Sequence, residues 1–178
     1  MFGNQFQGTI EIDEAYIGDS ESNRHSKNKK LTGEKPKTVV IGIINRETGQ
    51  VKAMKVPSSE KDFLLPKVYL NVNKGASIVT DNYGAYTSLK KHYTHETVKH
   101  SAGQYVKTNS RVVFKIHTNT IEGFWSQVKR GIYGIYHWTS KKHINRYLNE
   151  YTFRYNGKEN TDFGNFINWF ENCEGKKV

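Results

Sequence analysis

The fold of this chain follows from one alternating stretch near its amino terminus, Thr9-Ile10-Glu11-Ile12-Asp13-Glu14-Ala15-Tyr16-Ile17. Apolar and polar residues alternate along it with a period of two, which is typical of a half-buried β-strand. Ile10 and Ile12 are therefore expected on one face, and Glu11 and Asp13 on the other. A charged residue inside a strand is costly unless it reaches solvent, a partner or a metal ion. Asp13 is thus a candidate functional residue, unless it lies on an edge strand and faces water.

The segments that follow predict a mixed α/β architecture. A β-branched run at 38–44 predicts a strand buried on both faces, and turn residues at 45–49 join it to a second strand at 50–56. Ser59 is expected to cap a helix that continues to about residue 72. The remaining patterns predict a strand at 76–81, a short helix at 83–91, a strand at 94–98, and helices at 118–132, 141–155 and 162–173. This order indicates one sheet with helices packed on it.

Size and charge narrow the class of protein. The chain has 178 residues, enough for one domain with a sizeable core, and a net charge of +10. Such a charge predicts attraction to a polyanion, and nucleic acid is favoured over an anionic membrane because no basic amphipathic helix carries a lipid-facing apolar side. Cys173 is the only cysteine, which excludes an intrachain disulfide and a cysteine-built zinc site. A basic stretch at 19–37 is expected to form a loop.

Three acidic residues stand at the places where a metal site would need them. Asp13 lies inside the first strand, Asp81 closes a later strand, and Glu122 lies in the first turn of a long helix. If the two strands are neighbours, the aspartates meet and the helix can bring Glu122 to them. Carboxylates from separate elements are what a two-magnesium phosphoryl-transfer site requires, since Mg²⁺ prefers oxygen ligands.

Each of these acidic residues also has an ordinary structural interpretation. Asp81 is followed by Asn82 and Gly84, so it could simply begin a turn. Glu122 could be the acidic partner in a capping box whose cap is Asn119. The combination of the three with the element order and the basic charge is what favours a metal site.

Basic residues extend from the carboxylates along the last helices. Lys129 follows Glu122 by seven residues, two helical turns, so that both lie on one polar face where the lysine could hold a DNA phosphate. The alternative for Lys129 is a surface lysine in a loose ion pair. The other candidate DNA contacts are Arg130, Lys141, Lys142, Arg146, Arg154, Asn119 and His117.

Three blocks of the sequence resemble a known family. They are Glu11-Ile12-Asp13-Glu14-Ala15-Tyr16-Ile17-Gly18, Ile78-Val79-Thr80-Asp81-Asn82-Tyr83-Gly84-Ala85-Tyr86, and His117-Thr118-Asn119-Thr120-Ile121-Glu122-Gly123-Phe124-Trp125-Ser126-Gln127-Val128-Lys129-Arg130. In order and spacing they resemble the catalytic blocks of prokaryotic insertion-sequence DDE transposases related to Merlin elements, the ISXO2-like group. The resemblance covers residues from about 8 to 156.

The resemblance implies a ribonuclease-H-like α/β fold, in which a mixed five-stranded sheet is flanked by helices. It makes Asp13, Asp81 and Glu122 the catalytic, metal-holding triad for Mg²⁺, with Mn²⁺ as a substitute, and Lys129 the basic residue beside it. The implied reaction is hydrolysis of a DNA phosphodiester at a transposon end, followed by attack of the freed 3′-hydroxyl on target DNA. The implied partners are both DNAs and at least one more copy of the chain.

The extent of the chain qualifies this expectation. Family members usually carry an amino-terminal zinc-ribbon or helix-turn-helix region, whereas this sequence starts almost directly at the first catalytic strand. We therefore expect residues 1–178 to form a single catalytic domain that lacks this region, in a cytoplasmic, nucleoid-associated protein. Two alternatives stay open, namely a ribonuclease-H-like nuclease without strand transfer and a non-catalytic DNA-binding remnant of a transposase.

Overall fold

The structure is a computed structural model, and it describes residues 5–18, 37–98, 115–136, 139–158 and 164. Most of the predicted basic loop at 19–37 and nearly all of the predicted last helix at 162–173 lie outside these residues. The elements below are those of the described part of the chain.

Five strands form one mixed sheet in the order β3-β2-β1-β4-β5. Strand β1 pairs antiparallel with β2, which pairs antiparallel with β3, while β4 and β5 are added in parallel on the other side of β1. The predicted mixed five-stranded sheet is therefore confirmed. Strand β1 is its centre, so the edge-strand alternative for Asp13 is wrong. The strands are β1 Thr9–Ile17, β2 Thr38–Asn45, β3 Val51–Lys55, β4 Ser77–Asp81 and β5 Thr94–Val98.

Helices follow the strands in the predicted order, with corrections at their ends. They are α1 Lys61–Asn71, a 3₁₀ helix Gly84–Lys91, α2 Asn119–Gly131, a π-helical turn Ile132–Tyr136, and α3 Ile144–Asn156. Ser59 does not cap α1, because Glu60 occupies the cap position and its amide donates to Ser58 Oγ at 3.1 Å. Residues 141–143 form a turn, so α3 starts three residues later than the pattern predicted.

The two faces of the sheet bury separate hydrophobic cores. Ile10 and Ile12 face a core shared with α1 and the 3₁₀ helix. The opposite face of β1 packs against α2 and α3 through the predicted stripe of Ile121, Trp125, Val128 and Ile132. The alternation of β1 places Asp13 on this second face, where α2 lies. No helix in the described ranges is long and apolar enough to cross a membrane.

Candidate active site

Asp13 and Asp81 lie on neighbouring parallel strands, each one residue beyond the paired segment. The register between β1 and β4 runs from Thr9 opposite Ser77 to Ile12 opposite Thr80. Asp13 and Asp81 are the next residue on each strand, so the same register sets them against each other at a strand separation of about 4.8 Å. The condition on which the sequence argument depended, that the two strands are neighbours, is met.

Glu122 lies on α2, which packs closely against the sheet beside Asp13. On its other side Asp13 faces Gly42 of β2. A Cβ atom at Gly42 would stand 2.6 Å from Trp125 Cζ2 and 2.8 Å from Ile121 Cδ1, so only glycine admits α2 at this distance. The glycine therefore permits the close packing of α2, which carries Glu122 next to Ile121, against the sheet.

The electrostatics of Asp13 show that the carboxylates act on one another. The pKa of Asp13 is raised from 3.8 to about 7, chiefly by burial and then by the negative charges of Glu14, Asp81 and Glu122, in that order. A like charge raises the pKa of a carboxyl only where the two groups are near each other. Carboxylates that repel one another suit a divalent cation, which would neutralise the repulsion and favour the ionised form.

Hydrogen bonds orient the other two carboxylates. Asp81 Oδ1 accepts a hydrogen bond from the Tyr83 amide at 3.0 Å. Asp81 therefore does begin a turn, as the alternative interpretation of its sequence predicted. Thr118 Oγ1 donates to Glu122 Oε1 at 2.6 Å. Thr118 is the residue at the cap position of α2 and Asn119 is the first helical residue, so the predicted capping box with Asn119 as its cap is wrong.

The carboxylates of Asp13, Asp81 and Glu122 are suitable ligands for magnesium, although their side chains are not arranged around a common point. The residues concerned supply carboxylate oxygens, which are the ligands of hard cations. Within the described ranges, no three His, Cys, Asp or Glu side chains stand together closely enough to hold an ion. Direct coordination by all three carboxylates would therefore require their side chains to move toward the ion.

Glu14 is an acidic neighbour to which the sequence reasoning assigned no role. Its Oε2 accepts a hydrogen bond from the fully buried Tyr86 hydroxyl at 2.9 Å. Burial raises the pKa of Glu14, the bond from Tyr86 lowers it, and the charge of Asp81 raises it again. Its position next to Asp13 in the first block was the available signal, but alternation assigns it to the opposite face of the strand.

Glu11 and Arg46 were also missed. Glu11 is a fully buried carboxylate two residues before Asp13 on the same face, and Arg46 Nε donates to it at 2.6 Å. The sequence signal was a second charge on the buried face of β1. Arg46, in the hairpin turn, gave no signal at all.

The predicted basic residues lie at the surface of the helical side. Lys129 and Arg130 are exposed on α2, Lys141 and Lys142 in the turn before α3, and Arg146 and Arg154 on α3. Arg154 pairs with Glu150 at 2.8 Å, one helical turn away. Asparagine side chains hold α3 on β3, since Asn145 Oδ1 accepts from the Lys55 amide at 3.0 Å and Asn156 bonds both backbone groups of Val51. The basic surface is thus attached firmly to the sheet.

The remaining two candidates flank the start of α2. Asn119 is exposed, and His117 is partly buried with Nδ1 3.3 Å from Glu11 Oε1. Burial lowers the pKa of His117, as does the charge of Arg46, while Glu11 raises it. His117 therefore faces the Glu11–Arg46 pair, which the sequence did not predict.

Comparisons with known proteins agree with this geometry. The catalytic core domain of BIV integrase is similar in structure, with a TM-score of 0.52 and 13% identity over 92% of this chain and 94% of the integrase chain. This likeness supports the ribonuclease-H-like fold. The comparison with curated proteins found no match. Residues 5–156 match the family model of the ISXO2-like transposase domain, and because the match spans most of the sequence, the chain belongs to that family of insertion-sequence DDE transposase domains.

Proposed function

We propose that this domain is a metal-dependent DNA transposase core, in which Asp13, Asp81 and Glu122 form the catalytic, metal-holding triad. The observation that carries the proposal is the pairing of β1 with β4, whose register runs to Ile12 opposite Thr80, one residue before each aspartate. The influence of both other carboxylates on Asp13 supports it. Membership of a transposase family supports the choice of DNA as substrate.

The chemistry assigned to these residues is positioning and electrostatics. When bound, Mg²⁺ or Mn²⁺ would supply Lewis-acid stabilisation of the phosphodiester and lower the pKa of an attacking water. The triad holds the negative charge that attracts such ions. Hydrolysis breaks the bond between phosphorus and the 3′-oxygen, leaving the water oxygen on the phosphate and a free 3′-hydroxyl. In strand transfer that hydroxyl oxygen bonds to a target phosphorus, and another 3′-oxygen leaves.

DNA would lie along the helical side of the domain. Lys129 stands two helical turns beyond Glu122 on α2, where its ammonium group can hold a phosphate next to the reacting one. Beyond it, the exposed cations of α2, α3 and the turn between them continue the positive surface, namely Arg130, Lys141, Lys142, Arg146 and Arg154. We include His117 and Asn119 as contacts near the entrance to α2. We also propose that at least two copies act together, one on each transposon end.

A nicking and joining assay tests the proposal. The substrate is duplex DNA that carries the inverted repeats flanking the gene, together with target plasmid and Mg²⁺ or Mn²⁺. We expect nicked and joined products from the wild type and none from Asp81→Asn, which removes one negative charge without changing the shape of the side chain. Asp62→Asn, an exposed change of the same type in the first turn of α1, is the matched control and should keep full activity.

The products distinguish the proposal from its alternatives. Nicking without joining would identify a nuclease of the same fold, and a shift in DNA mobility without cleavage would identify a binding protein. Cleavage by Asp81→Asn at the wild-type rate would mean that the triad is misassigned. Salt-sensitive DNA binding should survive in Asp81→Asn, because the basic surface supplies it.

A further inference from the structure

Glu11 makes an unusual set of contacts for a charged residue in the centre of a sheet. It is fully buried, and four donors surround its carboxylate. Oε2 accepts from the backbone amides of Thr120 at 3.0 Å and Ile121 at 2.9 Å. Oε1 accepts from Thr120 Oγ1 at 2.8 Å and from Arg46 Nε at 2.6 Å. A buried carboxylate is tolerated when it is paired and hydrogen-bonded in this way.

These contacts dock the start of α2 onto β1. The first amides of an α-helix have no partner within the helix, and they carry the positive end of its dipole. Thr118, at the cap position, makes no capping hydrogen bond with its side chain. The carboxylate of Glu11 satisfies two of the amides instead, from a strand more than 100 residues earlier in the sequence. The sheet itself thus caps the helix.

Arg46 extends the attachment to the segment before the helix. Besides its bond to Glu11, its guanidinium group donates to the backbone carbonyls of Lys115 and His117. The planar fork of arginine suits such simultaneous contacts, whereas the single ammonium of lysine does not. The Glu11–Arg46 pair therefore holds both the approach to α2 and its first turn.

The position of this pair links it to the proposed triad. Asp13 follows Glu11 by two residues on the same strand face, and Glu122 directly follows Ile121, whose amide Glu11 holds. The distance between Asp13 and Glu122 is thus set through a short and buried connection. Substitution of a residue that orients a metal ligand commonly lowers metal affinity or activity by about 10–100-fold.

We infer that Glu11, held by Arg46, is a positioning residue that fixes Glu122 relative to Asp13 and so determines the divalent-cation affinity of the site. This inference rests on the proposed function. The inference goes beyond that function by assigning control of metal affinity to two residues outside the proposed triad.

Glu11→Gln tests the inference. The amide keeps the size of the side chain, but its NH₂ group is a donor and faces at least one of the donors that Glu11 now accepts from. Two readouts are taken across a Mn²⁺ titration, namely the rise in melting temperature without DNA and the rate of cleavage of transposon-end DNA. The expected result is an increase of roughly 10-fold or more in the Mn²⁺ concentration at the midpoint of both curves. Arg46→Lys should shift the same midpoints in the same direction by a smaller factor.

The control separates positioning from general stability. Val68→Ala creates a small cavity in α1, in the core on the opposite side of the sheet. It should lower the melting temperature yet leave the Mn²⁺ midpoints within about twofold of the wild type, as is usual for distant sites. If Glu11→Gln does not fold, Arg46→Lys carries the test alone.

The outcomes separate this inference from the proposed function. If the wild type binds Mn²⁺ and cuts DNA, and both variants have the same Mn²⁺ midpoints as the wild type, the inference alone is overturned. A wild type that neither gains stability from Mn²⁺ nor cuts DNA would overturn the proposed function, and the inference with it. An equal shift in Val68→Ala would show that Glu11 acts through stability, which would also overturn the inference.

Discussion

The metal-free domain should lose stability as the pH rises, and replacing Asp13 by asparagine should remove that loss. The pKa of Asp13 is about 7 in the folded chain, against 3.8 without its surroundings. Because the folded value is the higher one, the contribution of Asp13 is fully present below about pH 4 and is lost as the pH rises through 7. At 1.36 kcal/mol for each pH unit between the two values, the loss amounts to roughly 4 kcal/mol as an upper limit.

The measurement is a set of urea unfolding curves for wild type and Asp13→Asn at several pH values between 4 and 8, in EDTA. Comparing the two proteins is necessary because burial, together with the charge of Lys90, lowers the pKa of His95 to about 4. That shift has the opposite effect, since it makes stability fall as the pH drops from about 6.5 toward 4. His95 is present in both proteins, so the difference between them isolates Asp13.

We expect the free energy of unfolding of Asp13→Asn to increase steadily relative to that of the wild type as the pH rises. Adding Mg²⁺ at pH 8 should then stabilise the wild type and leave the variant nearly unchanged, because the cation favours the ionised carboxylate. Parallel pH curves for the two proteins would refute the argument that Asp13 is crowded and buried. Equal stabilisation of both by Mg²⁺ would refute the assignment of Asp13 as a ligand.

Three further changes probe the surroundings of the site. Gly42→Ala should lower stability by about 1–3 kcal/mol and reduce cleavage, because the methyl group pushes Trp125 and α2 away from the sheet; unchanged melting and cleavage would contradict the close approach. Tyr86→Phe should cost roughly 2 kcal/mol in denaturant unfolding, since Glu14 loses a partly buried hydrogen bond; a neutral effect would mean that water replaces the hydroxyl. Lys129→Ala should lower the salt dependence of DNA binding by about one phosphate contact, measured by fluorescence anisotropy, and an unaltered slope would place Lys129 away from DNA.

Periodicity made much of the fold predictable. The alternation of Thr9–Ile17, the β-branched run of β2 and the apolar stripe of α2 each identify a buried face, because the side that is removed from water must be apolar. The blocks around Asp13, Asp81 and Glu122 then indicated which strands and helix meet. The register of β1 with β4 is consistent with that expectation.

Contacts between distant parts of the chain were not predictable. Ser59 and Asn119 have the right chemistry for helix caps, yet neither caps its helix. The start of α2 is capped by Glu11, 109 positions before Thr120, and no local pattern encodes such a pairing. The roles of Arg46 and Tyr86 were missed for the same reason, since each acts through a partner elsewhere in the sequence.

The metal site can be located in a crystal structure of the domain grown with Mn²⁺ and examined by anomalous scattering. We expect a peak within coordination distance, about 2 Å, of the carboxylates of Asp13 and Asp81, with Glu122 turned toward it. A Mn²⁺ ion bound elsewhere, with these three carboxylates directed to different sides of the domain, would contradict this expectation.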